Sequence, residues 1–492
     1  MKRRVLATVT GGALLISLAA CDSTPAPGPT QTSATSSNSE PVPAPTALDG
    51  GAADLGIKWN WNLKPPLAYA EQVGWGETFF EVEWCDILER PQDQRYRQVE
   101  RIVGQAETMG YRMMLKIRVG SCSGEGEVLD PAEGTRKKPS TYPSDPAAYQ
   151  TFVRELVGRY SARGVKIWAI ENEVDANNFW AGSPQEYVDL VALASAAIKE
   201  ADPEATILDA GISSTGHGIA LAGELMDAGK EQEALELYQK WYERRHAAAA
   251  ARFPRVETVE GLRGLLTDSR ATRVREMVAA NWEAVNSGNI TAYQLHFYEN
   301  PVLLPTLLDY VRRHLTTPMP IQAWEIGTAW PGDGYTEQVH GSETAMLLGT
   351  LLRERISPVV YLPLAYTPGG ATKVEIFRGL VTPEGGDLPS GQVYAAYATA
   401  VQTSTAIRTL ELDRGSGVLV VGPTSSLGVV WPRDGGALRV SSGDATSAAE
   451  PGARVNGEAQ PGESVLIPLP GGEDQALEQL SESLGTTVSA TD

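Results

Sequence analysis

The chain has 492 residues, 42% of them hydrophobic, and its 61 Asp and Glu against 41 Lys and Arg give a formal charge of −20. This composition excludes a disordered chain and a multi-span membrane protein, and the acidic balance argues against a nucleic-acid partner, since phosphate contacts need clustered Lys and Arg. The length accommodates one large α/β domain or two to three ordinary ones, with core enough to need no disulfide or metal staple.

Residues 1–20 read as a signal peptide: Lys2, Arg3 and Arg4 precede a mostly apolar run from Val5 to Ala20. That run is short of the roughly 20 residues a membrane-spanning helix needs. Leu18-Ala19-Ala20-Cys21 resembles the lipobox of bacterial lipoproteins. The resemblance implies lipidation at Cys21 and an extracytoplasmic protein anchored to the cell membrane through that lipid. Residues 21–50 are rich in Pro, Ser and Thr with almost no large apolar side chain, and read as an extended tether. With Cys21 assigned to lipid, Cys85 and Cys122 remain as a disulfide pair or as two separate thiols.

From residue 51 to 403 short β-rich apolar runs alternate with stretches of helical period. The strands are expected at Leu55–Trp59, Phe79–Trp84, Met113–Val119, Val165–Ile170, Thr206–Asp209, Ala292–Phe297, Ile321–Ile326 and Val359–Leu364. Eight strands with intervening helices over this length fit an α/β fold of the (β/α)8 TIM-barrel type, with a doubly wound sheet as the competing topology. Cys85 follows the second strand and Cys122 the third, which favours the disulfide. Residues 217–287 interrupt the rhythm with helical spacing only and read as an insertion, either a wall of a cleft or a plain elaboration. Residues 404–470 carry short strands between Gly, Pro and Asp turns, as expected of a small C-terminal β-sandwich-like domain, and 471–492 read as a polar tail with one weak helical stretch.

In a barrel of this kind the working groups lie at the carboxyl ends of the strands. Strand four runs into Glu171-Asn172-Glu173 and strand seven carries Trp324-Glu325-Ile326, so each apolar run meets an acid where ionised groups are costly to bury. Two facing carboxylates suit retaining glycoside hydrolysis, one as nucleophile and the other as proton donor and acceptor. Strand alternation would place Glu171 and Glu173 on one face, leaving the choice between them to the motif.

That motif resembles the clan A glycoside hydrolases, whose signature is Asn-Glu ending strand four and Glu ending strand seven. The resemblance implies Glu173 as general acid/base, Asn172 as partner of the sugar 2-hydroxyl and Glu325 as nucleophile. Gln294-Leu295-His296-Phe297-Tyr298 is similar to the clan's sixth strand, which implies that His296 and Tyr298 face the site, with Tyr298 bonded to the nucleophile. The stretch from Val153 to Val174 is most similar to the members related to β-xylosidases and α-L-iduronidases. The sequence departs from the clan after strand eight, where Tyr361 and Tyr366 stand instead of a Trp, and on strand three, which offers Lys116 and Arg118 but no His.

Aromatic rings near strand ends suit sugar faces; Trp59, Trp84, Trp180 and Trp330, with Arg118, are the expected substrate contacts. With five His and no H-E-x-x-H spacing, no metal site is expected, and no phosphate loop or dinucleotide fingerprint implies a cofactor. The expected partner is a carbohydrate. A binding protein that has lost catalysis and a transglycosylase using the same residues are the alternatives.

Overall fold

Among the described residues the predominantly apolar β-runs before residue 403 form eight parallel strands, since such runs let a strand be buried on both faces. They are β1 (Leu55–Ile57), β2 (Glu77–Glu83), β3 (Arg112–Arg118), β4 (Ile167–Ile170), β5 (Thr206–Leu208), β6 (Tyr293–Phe297), β7 (Ile321–Ile326) and β8 (Val359–Tyr361). The computed structural model describes residues 54–492 except 60, 62–66, 74–75, 123–138, 247–251, 331–333, 366–376, 434–435, 441–444, 451–456, 487 and 492. The signal peptide, Cys21 and the tether expected from the sequence therefore lie outside the described residues, as does Tyr366.

Two four-stranded parallel sheets result, ordered β2-β3-β4-β5 and β1-β8-β7-β6. Between them an isolated parallel bridge joins Leu208 to Ala292, reinforced by the Thr291 amide donating to the Ile207 carbonyl at 2.8 Å. At the other seam β1 meets β2 by close backbone approach: a Cβ on Gly56 would lie 1.8 Å from the Glu77 carbonyl oxygen, so only glycine fits. Phe79, Met114, Ala169, Leu208, Ala292, Trp324 and Val360, drawn from both sheets, pack into one buried cluster. That layer is the floor on which the polar residues further along the strands stand.

Helices alternate with the strands. Pro184–Ala201, for example, starts with a capping box in which Ser183 accepts from the Glu186 amide and Glu186 accepts from the Ser183 amide. The segment expected as an insertion folds into helices Ser214–Asp227, Glu231–Trp241, Val259–Leu266 and Ser269–Asn286 between β5 and β6. Among the described residues, no helix is long and apolar enough to cross a membrane.

After helix Pro389–Gln402 comes a six-stranded antiparallel sheet, in spatial order Thr446–Ser447, Val465–Pro470, Ser425–Pro432, Gly415–Val421, Ala406–Leu412 and Ser489–Thr491. Its alternation serves two cores. Val418 and Val420 join the large core, while Leu419 and Val421 pack in a second one with Leu480 and Leu484 of helix Glu473–Leu484. The helical stretch expected within residues 471–492 is the helix Glu473–Leu484, whose Ala476, Leu480 and Leu484 form a buried stripe, and beyond it Ser489–Thr491 pairs as an edge strand where a polar tail was expected.

Candidate functional site

The ends of β3, β4, β6 and β7 bring Glu173, His296, Glu325 and Lys116 together, and two backbone irregularities aim them. β4 ends at Ile170, and both Glu171 (φ 68°) and Glu173 (φ 40°) adopt the left-handed conformation, so strict alternation fails. Such backbone costs about 1–2 kcal/mol per residue and is held here by hydrogen bonds from the Glu171 amide to the Ile117 carbonyl (2.9 Å) and from the Glu173 amide to the Ala210 carbonyl (3.1 Å). The two carboxylates consequently diverge, Glu171 toward Arg118 and Glu173 toward His296. On β7 the register against β6 shifts so that Leu295 pairs with Ala323 but His296 with Glu325. Trp324 belongs to the interior cluster, and the bulge lets the next residue, Glu325, reach the interior charges as well.

Glu325 is held at both oxygens. Lys116 Nζ donates to Oε1 at 2.5 Å, and Tyr298 OH donates to Oε2 at 3.0 Å. Lys116, fully buried, also donates to Asn172 Oδ1 at 2.5 Å. Burial pushes the Glu325 carboxyl up, but His296 and Lys116 outweigh it and hold the group well below the usual carboxylate range.

The hydrogen bonds around His296 assign its tautomer. Gln294 Nε2 donates to the Asp209 carbonyl at 2.5 Å, which turns Gln294 Oε1 toward His296 Nε2 at 3.1 Å, so Nε2 carries a proton. Nδ1 then faces Glu173 Oε1 at 3.0 Å, a contact that requires one further proton shared by this pair. Burial, aided by Lys116, lowers the His296 pKa to about 4. Asp209 keeps this arrangement in place by accepting from the Gln294 amide at 2.7 Å and from Asn281 Nδ2 at 2.8 Å. A Cβ on Gly211 (φ 67°) would sit 2.7 Å from His296 Nε2, so the imidazole depends on glycine there.

Arg118, expected at the substrate, is instead completely buried and spent on other groups. Its Nη1 reaches Glu83 at 2.7 Å and Glu81 at 3.4 Å, its Nε reaches Glu171 at 3.4 Å, and its Nη2 donates to Ser140 Oγ and the Phe179 carbonyl, each at 3.3 Å. The expected aromatic contacts also fall elsewhere. Trp59 packs on Trp61 and Tyr111, Trp84 on Tyr149 and Trp180 on Tyr187, all buried, since a large indole is worth more in the core than in water. Trp330 is half-buried with the Arg244 guanidinium 4.0 Å above its ring. Tyr361 is buried and bonds His340 at 2.8 Å. Cys85 and Cys122 are joined as a disulfide. Lys116, Gln294 and Asp209 were not assigned a role from sequence; for Lys116 and Gln294 the signal was their period-2 spacing from Met114 and His296 on strands whose interior faces are otherwise occupied.

Among the described residues Glu173, His296 and Glu325 each present a donor atom within 4.8 Å of the others, close enough to share a cation. The Lys116 ammonium lies 3.5 Å from His296 Nε2 and 2.5 Å from Glu325 Oε1, and so supplies the positive charge a metal would bring and repels a second. What the pair can do is present an ionised carboxylate and a protonated partner across a gap of a few ångströms.

No protein-family model and no curated protein matches this sequence. Solved structures do resemble it. A family 39 β-xylosidase from Caulobacter crescentus has 12% identity over 85% of this chain and 96% of its own, with a TM-score of 0.49. A glucosidase from Croceicoccus marinus has 10% identity over 83% and 81%, also at 0.49. A family 39 glycoside hydrolase from the gut symbiont Bacteroides cellulosilyticus WH2 has 14% identity over 84% of this chain and 80% of its own, with a TM-score of 0.51, and with that enzyme the chain shares its mixed α/β fold of parallel strands.

Proposed function

We propose that the protein is a retaining glycoside hydrolase of the clan A type, its two parallel sheets forming the halves of one (β/α)8 barrel. The observation that carries this reading is the placement of Glu173 and Glu325 with oxygens within 4.8 Å of each other. Retaining enzymes hold their carboxyls about 5–5.5 Å apart, whereas inverting ones need about 6.5–9.5 Å to admit a water between them.

Glu325, ionised beside Lys116, attacks the anomeric carbon. Glu173 donates to the leaving oxygen; with His296 neutral and its Nε2–H committed to Gln294, the proton shared with Nδ1 resides on Glu173, the form a general acid needs. Glu173 then takes a proton from the water that displaces the sugar from Glu325. Asn172, its Oδ1 engaged by Lys116, turns its amide NH2 group away from that cation to donate to the sugar 2-hydroxyl. A 2-fluoro glycosyl fluoride is expected to add its glycosyl mass to a peptide containing Glu325, and Glu325→Gln to lose on the order of 10⁴–10⁶-fold in kcat. Label on any other residue, or unchanged turnover in the variant, would remove the assignment.

The substrate class is an extracellular glycan or glycoconjugate. Export through residues 1–20, lipidation at Cys21 and the tether of 21–50 hold the enzyme on the outer side of the membrane, with the C-terminal β-domain packed on the catalytic one. Full-length protein expressed in a bacterium should partition with detergent, and Cys21→Ala should move it to the aqueous phase; equal partitioning of both would exclude the lipid anchor.

A further inference from the structure

We propose that Lys116 is a positioning residue that acts with opposite sign on the two half-reactions, restraining the attack of Glu325 and assisting its departure. The inference rests on the glycosidase reading above. Lys116 Nζ lies 2.5 Å from both Glu325 Oε1 and Asn172 Oδ1 and 4.6 Å from the centre of the Phe79 ring, with no solvent exposure. An ammonium has three donors and accepts nothing, so these contacts fix both acceptors at once.

The two oxygens of Glu325 are therefore unequal. Oε1 belongs to a buried cation at 2.5 Å, and Oε2 to a phenol at 3.0 Å, which is the easier partner to give up. Oε2 is the atom that forms the bond to the anomeric carbon as the bond to the leaving oxygen breaks and that oxygen takes the proton of Glu173. The carboxylate charge is then consumed, and Lys116 is left against the ester carbonyl Oε1. In the second step water adds to the anomeric carbon and gives its proton to Glu173. The electron pair of the Oε2 bond returns to Glu325, where Lys116 stabilises the returning charge. Stabilising the free carboxylate slows the first step and speeds the second. The other titratable groups facing Glu325 are His296 on β6, Tyr298 beyond it, Glu173 after β4 and Glu81 on β2.

The test uses the full chain and a panel of 2,4-dinitrophenyl glycosides, with Lys116→Gln and Lys116→Met as neutral variants and Lys116→Arg as the charge-preserving one. Both neutral variants should move the acid limb of kcat/KM upward by about 1 pH unit or more, since Glu325 loses its buried cation. They should also release a burst of dinitrophenolate before a steady state slowed about 100-fold. Lys116→Arg should restore the acid limb. A uniform loss at every pH, with no burst, would make Lys116 merely structural and overturn the inference while the glycosidase reading stands. No turnover of any glycoside by the wild-type chain would overturn both.

Discussion

Lys116 and Arg118 sit two residues apart on β3 with their side chains on the same interior face, and each is a buried cation among glutamates, yet their surroundings differ in one respect. Around Arg118 every donor has a protein acceptor: Glu81, Glu83, Glu171, Ser140 and the Phe179 carbonyl leave the guanidinium nothing to offer a ligand. Lys116 instead divides its donors between Glu325 Oε1 and Asn172 Oδ1, and exposure does not separate the two sets of acids: the Glu325 side chain keeps 12% of its surface exposed and those of Glu81 and Glu83 keep 19% and 26%, while Glu171 keeps none. A buried cation whose donors are all taken by its own cluster adds rigidity, whereas one bonded to a carboxylate that also lies within 4.8 Å of a second acid, Glu173, is available for chemistry.

The largest test of that contrast exchanges the neighbouring acids. Glu173→Gln should lower kcat/KM about 10²–10⁴-fold for glycosides with poor leaving groups, and far less for dinitrophenyl glycosides that need no protonation. Glu171→Gln should keep the wild-type dependence on leaving group. If the dependence followed Glu171 instead, the open and closed clusters would be assigned the wrong way round.

The positions of the eight strands are legible in the sequence from apolar β-runs alternating with helical period, whereas the convergence of Glu173, His296, Tyr298 and Glu325 is something only the resemblance to the clan A motif implies and periodicity does not show. What is not legible has a physical cause in each case. Glu171 and Glu173 leave alternation because of positive φ at both residues, and a chain of L-residues gives no local sign of that. Trp59, Trp84 and Trp180 lie near strand ends in sequence but are drawn into the core, and the transfer energy of an indole does not depend on how close its backbone is to a cleft. Lys116 and Arg118 look alike on one strand; only the partners brought by β2, β4 and β7 separate them. The helical stretch at 473–484 is legible, but its polar composition hides that a narrow apolar stripe is enough to pack it.

Arg118→Met tests the closed cluster by stability rather than rate. Removing one partner of a buried pair costs about 3–5 kcal/mol because the remaining charge is uncompensated, and here Glu171 keeps a backbone donor, the Val119 amide at 2.6 Å, but loses its cation. Burial pushes the Glu171 carboxyl up to about 7 against the opposing pull of Arg118. A carboxyl with a raised folded-state pKa contributes stability that is complete below its unfolded value near pH 4.5 and disappears as the pH rises through about 7. Without Arg118 the rise is larger, so the deficit of the variant relative to wild type should be greatest at pH 8 and smaller at pH 5, by about 1.4 kcal/mol for each unit of added shift. Urea denaturation at the two pH values measures it, and equal deficits would mean that Arg118 is held by packing, not by the three glutamates. The acid limb of kcat/KM should move less in this variant than on neutralising Lys116, since Lys116 bonds Glu325 directly whereas Arg118 pairs with Glu81, whose charge in turn pushes the Glu325 carboxyl up.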